Sequence, residues 1–136
     1  MKTKKVIAVS GGFDPVHIGH VRMIIGAAQH GDVVVIANSD EWLKRKKGYV
    51  FMPWEDRAEI LKSIKGVINV EYVDDTDETV CEALSRIKPD AFANGGDRKQ
   101  ENTPEMELCD SLGIELLWNI GGEKIRSSSE MVDDIK

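Results

Sequence analysis

The chain has 136 residues, 41% of them apolar, which suffices for one domain with a buried core. Its net charge of −6 speaks against a general nucleic-acid binder, since such proteins carry a basic surface. No apolar run approaches the ~20 residues of a membrane span.

The basic start, Met1 to Lys5, is followed by only four apolar residues, Val6 to Val9. That run is too short for the core of a secretory signal and reads as a first, buried strand. After it comes Gly11-Gly12-Phe13-Asp14-Pro15-Val16-His17-Ile18-Gly19-His20. Asp14 followed by Pro15 is a helix-start signal, with Asp14 as the expected side-chain cap. Ile18, Val21, Ile25 and Ala28 form an apolar stripe on the helix that follows. Gly31 is expected to close that helix.

Val33 to Ala37 is the second strand, continuous enough in apolar residues to be buried on both faces. Asn38-Ser39-Asp40-Glu41 caps a short helical piece through Trp42 and Leu43, and Lys44 to Gly48 reads as a basic turn. Pro53 opens a helix with Leu61 and Ile64 inward and Gly66 as its stop. Val67 to Val73 is the third strand. Asp74 to Asp77 starts a helix that ends before Pro89. Ala91 to Ala93 is the fourth strand, followed by Asn94-Gly95-Gly96-Asp97-Arg98. Thr103-Pro104-Glu105 caps a helix that Gly113 ends, and Ile114 to Trp118 is the fifth strand. Ser127-Ser128-Ser129-Glu130 reads as a capping box. Cys81 and Cys109 fall on expected helices, without zinc spacing, so buried free thiols and a reducing cytoplasm are the expectation.

Alternating strands and helices predict an α/β fold: one Rossmann-like domain over 1–136, with a doubly wound parallel sheet. Ligands of such sheets sit beyond the carboxyl ends of the strands. The chemistry-bearing stretches follow strands one, four and five, so they converge on one site. There His17 and His20, three apart near a helix start, share a face. Gly19 between them leaves room for a flat ligand against the backbone. A helix N-terminus already favours anions, and two imidazoles add hydrogen-bond donors, so the turn reads as a phosphate site. Zinc is the rival use of the pair, but no third ligand stands at a suitable spacing. Taken alone, the lysine run reads as a solvated turn, Gly95-Gly96 as a turn and the three serines as a helix cap. Trp42, Trp54 and Trp118 read most simply as packing.

Gly12-Phe13-Asp14-Pro15-Val16-His17-Ile18-Gly19-His20 resembles the HxGH signature of the nucleotidyltransferase superfamily, and in particular its cytidylyltransferase-like members. That resemblance implies a five-stranded sheet of order 3-2-1-4-5. It implies transfer of a nucleoside monophosphate from CTP, placed ahead of ATP, to a small phosphorylated acceptor such as glycerol 3-phosphate or a sugar phosphate, with release of pyrophosphate. His17, His20 and Lys46 are the implied catalytic residues. Gly12, Phe13, Asp14, Gly19, Gly96, Asp97, Arg126, Ser127, Ser128 and Ser129 are implied to hold the nucleotide, and Lys44 and Arg57 the acceptor. Arg98 stands where cytidylyltransferases often have a tryptophan, and Gly122 where they place an arginine. The resemblance further implies magnesium carried with the triphosphate, no protein-held metal, no nucleic-acid or membrane partner, and a homodimer. Alternatives are an adenylyltransferase of the ADP-heptose or FAD synthetase type, or a nucleotide-binding module without turnover.

Overall fold

The computed structural model describes residues 5–94, 103–118 and 120. Five parallel strands form one sheet in the order β3-β2-β1-β4-β5. They are β1 (Val6–Gly11), β2 (Asp32–Ala37), β3 (Val67–Glu71), β4 (Ala91–Ala93) and β5 (Glu115–Leu117). The helices between them are α1 (Ile18–Ala28), α2 (Asp40–Lys47), α3 (Trp54–Lys62), α4 (Cys81–Ile87) and α5 (Pro104–Leu112). The expected sheet order and single small domain are therefore observed, and none of these helices is long and apolar enough to cross a membrane.

Period-two alternation along the central strands divides the core into two layers. Ile7 and Val9 of β1, with Val33, Val35 and Ala37 of β2, pack with Ile24 and Ala27 of α1 and Leu61 of α3. On the opposite face, Ala8 and Ile36 pack with Ala83 and Leu84 of α4 and with Cys109 of α5. Chain order thus winds α1 and α3 over one face and α4 and α5 over the other. The order reverses between β1 and β4, which opens a crevice at the carboxyl end of β1. Cys109 is buried and Cys81 half-buried, both as free thiols. Burial pushes the Cys109 thiol up to about 11.

Three local expectations for α1 and α2 are corrected, and α4 begins at Cys81 rather than at Asp74 to Asp77. Asp14 does not cap α1; the cap is His17, and the helix begins at Ile18. Of the stripe Ile18, Val21, Ile25 and Ala28, Ala28 packs against the core, but Ile18 and Ile25 are 44% and 45% exposed. Ile24 and Ala27 are buried instead. Counting from the cap, 17, 20, 24 and 27 step by three, four and three, so the core stripe continues the histidine face. The helix is apolar on several sides, and its starting residue selects which side turns inward. Finally, Lys44 to Lys47 are not a turn but the last turn of α2, which Gly48 closes in the left-handed region at φ 88°. Cations there oppose the partial negative charge of the helix end.

Gly48 and Gly66 separate two costs of a side chain. Both have positive φ, 88° and 98°, but a Cβ on Gly48 meets nothing within 4 Å, whereas one on Gly66 lies 2.6 Å from the Ala28 Cβ. Gly48→Ala should cost about 1 kcal/mol from backbone conformation alone. Gly66→Ala should cost a further ~1–3 kcal/mol from overpacking. Urea denaturation of the two variants checks this, and equal losses would contradict the packing assignment.

Candidate active site

The turn after β1 is built by long-range hydrogen bonds. Asp14, whose side chain is only 1% exposed, accepts the backbone N–H of Phe51 at 2.8 Å and of Met52 at 2.6 Å. Lys47 Nζ donates to the same carboxylate at 3.0 Å and to the Asp14 carbonyl at 2.7 Å. Burial acts to raise the Asp14 carboxyl, but the Phe51 N–H, the Lys47 ammonium and the Met52 N–H outweigh it and hold the carboxyl below its usual range. Phe13 takes up a left-handed backbone at φ 54° and is buried. Its ring meets the His20 imidazole edge-on, with centroids 4.8 Å apart.

The two histidines begin α1 as a reciprocal capping box. His17 Nδ1 accepts the Gly19 N–H at 3.1 Å, and His20 Nδ1 accepts the His17 N–H at 3.1 Å. Their rings stack with centroids 3.8 Å apart. Burial, and secondarily the neighbouring His17, lowers His20 to about 4.

Facing them is α2. Ser39 caps it by accepting the Trp42 N–H at 3.0 Å. Ser39 is itself fixed by Asp75, a buried carboxylate that accepts from Ser39 Oγ at 2.6 Å, Ser39 N–H at 2.9 Å and Asn38 Nδ2 at 3.0 Å. The far end of the helix presents Lys46, 5.8 Å from the Trp42 ring centroid, and Lys47.

A cavity of about 350 Å³ opens between these elements. Gly12, Phe13, Asp14, Pro15, His17 and His20 line one wall, and Trp42, Leu43, Lys46 and Lys47 the other. So the structure brings together six of the residues expected from sequence: Gly12, Phe13, Asp14, His17, His20 and Lys46. Gly19 contributes its N–H to the His17 cap. Lys44 is exposed on α2 and does not line the cavity. Gly96, Asp97, Arg126, Ser127, Ser128 and Ser129 lie outside the described residues. Lys47 was not singled out from the lysine run. Read as a helix, the spacing Leu43–Lys47 and Trp42–Lys46 would have placed both lysines beside the apolar pair on one face.

Arg57 differs most from expectation. It is 0% exposed and does not line the cavity. Nε donates to the Met52 carbonyl at 2.9 Å, and Nη1 to those of Gly12 at 2.7 Å and Asn38 at 2.8 Å. Nη2 donates to Asp40 at 2.7 Å. The guanidinium that the sequence assigned to an acceptor phosphate is spent inside the protein, tying together the loops that end β1 and β2.

Among the described residues, no group of three His, Cys, Asp or Glu side chains could hold a metal ion. Among the described residues, Asp14 is the acidic residue of the cavity wall, and both of its oxygens accept hydrogen bonds.

A cytidylyltransferase-like family model matches residues 8–127. The chain belongs to that family. It is 39% identical over 115 residues to the FAD synthase of Pyrococcus horikoshii, covering 79% of this chain and 74% of that protein. It is 32% identical over 136 residues to the bifunctional protein HldE of Geobacter metallireducens, covering 97% of this chain. The match spans only 27% of that HldE, so the chain corresponds to about a quarter of its length. The crystal structure of the lipopolysaccharide core biosynthesis protein from Thermoplasma volcanium superimposes with a TM-score of 0.67 and 22% identity, over 84% of this chain and 93% of that one. That likeness concerns the fold alone. The family places the protein among nucleotidyltransferases.

Two outcomes test this geometry. Arg57→Met strands the buried Asn38 carbonyl, the part-buried Gly12 and Met52 carbonyls and Asp40, and should lower unfolding stability by roughly 3 kcal/mol in urea; a loss under ~1 kcal/mol would remove the tie assigned to Arg57. His20 is neutral in the fold and takes a proton near 6.5 when unfolded. Between those two values the unfolded chain binds the extra proton, so stability falls as pH drops from 6.5 towards 4. Urea midpoints at both ends of that window should fall less for His20→Gln than for the wild type; equal falls would contradict the neutral, buried imidazole.

Proposed function

We propose that this chain transfers a nucleoside monophosphate from a nucleoside triphosphate, ATP ahead of CTP, to a phosphate oxygen of a small acceptor. The acceptor oxygen attacks the α-phosphorus in line. Its bond to phosphorus forms as the bond to the β-phosphate oxygen breaks, and pyrophosphate leaves. The observation that carries this reading is the stacked His17–His20 pair at the start of α1, facing Lys46 and Lys47 across one cavity.

Nucleotidyl transfer asks a protein mainly for position and charge neutralisation. In the proposal, the N-terminus of α1 and the two imidazoles meet the triphosphate, while Lys46 and Lys47 offset its charge. Gly96 and Asp97 lie against the nucleoside, and Arg126 with Ser127, Ser128 and Ser129 takes the β- and γ-phosphates. Lys44 and the segment 48–53 border the acceptor side. Arg57 is given a different part from the one expected, holding Gly12 rather than touching the acceptor. The preference for ATP rests on the relatives, because a FAD synthase makes a product that carries an adenylyl group. A homodimer in a reducing cytoplasm belongs to the same proposal.

Pyrophosphate release is the test, with ATP and CTP assayed separately against flavin mononucleotide, sugar phosphates and glycerol 3-phosphate. One triphosphate and one acceptor should give turnover. The double variant His17→Ala, His20→Ala should lower it by ~10²-fold or more. Near-normal turnover in that variant would sink the mechanism, and triphosphate binding without turnover for any acceptor would favour a binding module.

A further inference from the structure

The hydrogen bonds that start α1 bear on the chemical state of the histidine pair. A ring nitrogen that accepts an N–H cannot itself carry a proton, and a neutral imidazole then holds its single proton on the other nitrogen. Both Nδ1 atoms here are acceptors, His17 from the Gly19 N–H and His20 from the His17 N–H. A capping box is ordinarily made by a hydroxyl and a carboxylate or amide, which have no comparable choice of state. Made by two imidazoles, it links the first turn of the helix to the position of two protons.

We propose that helix α1 acts as a tautomer lock: its first-turn amides hold His17 and His20 as neutral rings protonated at Nε2, and the pair serves as hydrogen-bond donors rather than as cations or proton carriers. A second proton on either ring would have to enter at Nδ1, setting N–H against N–H and breaking the cap. The rings stack at 3.8 Å, where two imidazolium ions would repel. Phe13 covers the edge of His20 with an apolar ring. Among the described residues, the charged groups that share the cavity wall are Lys46, Lys47 and Asp14, and the Asp14 charge is answered by Lys47 and two backbone amides. These surroundings also disfavour a third cation. The low proton affinity of His20 has the same sense.

This inference rests on the proposed nucleotidyl transfer only in naming a phosphate oxygen as the acceptor of the Nε2–H bonds. The lock itself belongs to the unliganded protein. Nitrogen-15 NMR of the imidazole rings in the full chain reads it directly, with His30→Gln identifying the signals of the third histidine. At pH 7.5 both remaining rings should show a bare Nδ1 and a protonated Nε2, and His20 should keep that pattern down to pH 5.5. In His17→Asn, which puts a favoured capping residue at the same position, the His20 pattern should persist. An Nδ1–H on either ring at pH 7.5, or a second proton on His20 above pH 5.5, would overturn the lock.

Addition of ATP as probe should move the Nε2 signals and leave both tautomers in place; a tautomer change on binding would refute a pure donor role. The two readings fail separately. Loss of pyrophosphate release with the NMR pattern intact removes the proposed reaction, and a wrong pattern with turnover intact removes the lock.

Discussion

The guanidinium of Arg57 is wholly inside the protein, and the geometry of the site depends on what it holds. Its bonds reach Gly12 after β1, Asn38 after β2, Met52 ahead of α3 and Asp40 at the start of α2. A buried cation is costly unless its donors are satisfied. Here three carbonyls and a partly exposed carboxylate satisfy them, and a planar fork fixes all four at once. Asp75 does the converse with a buried carboxylate, holding Asn38 and Ser39. A cation and an anion thus grip the same short segment from two sides. The start of α2 can shift relative to Gly12 only by breaking one of them. The cavity is the space between those two anchored pieces.

Asp14 adds the third restraint, from the other wall. It reaches across to the segment after α2 and draws Lys47 towards the β1 turn. One carboxylate therefore orders the loop 48–52 and positions a lysine on the cavity wall. The lysine is not consumed by the pairing in the way a buried ion pair would be, because its side chain keeps some exposure. Both Asp14 oxygens already accept hydrogen bonds, and the other polar side chains lining the cavity among the described residues are imidazoles, lysines and an indole.

Much of this was legible in the sequence, for local reasons. Strands β1, β2 and β4 are short apolar runs bounded by breakers, and they appear where expected. The His17–His20 face follows from a three-residue spacing alone. What escaped was set by contacts distant along the chain. The partners of Asp14 lie 37 and 38 residues away, and Gly12 lies 45 residues from Arg57. A sequence motif that reads Asp-Pro as a helix start cannot see amides that arrive from another loop. Buried arginines are also rare, so a guanidinium in a phosphate-binding family reads more naturally as a ligand group. The lysine run was misjudged for another reason. Four consecutive cations look like a solvated turn, yet the last turn of a helix is where cations are most welcome.

The rotation of α1 shows how the site and core are coupled. Residues 17 and 20 make the capping box, and the same face continues through Ile24 and Ala27 into the core beneath β1 and β2. The packing that buries Ile24 therefore also aims the histidines. A helix turned to bury Ile18 and Ile25 would have carried the imidazoles away from α2. Hydrophobic burial is non-directional and does not choose between these rotations. The choice falls to the directional contacts at the helix start: two imidazole–amide bonds, the ring stack and the edge of Phe13. In this fold the polar groups of the site decide which apolar face becomes core, and that core in turn holds the polar groups in place.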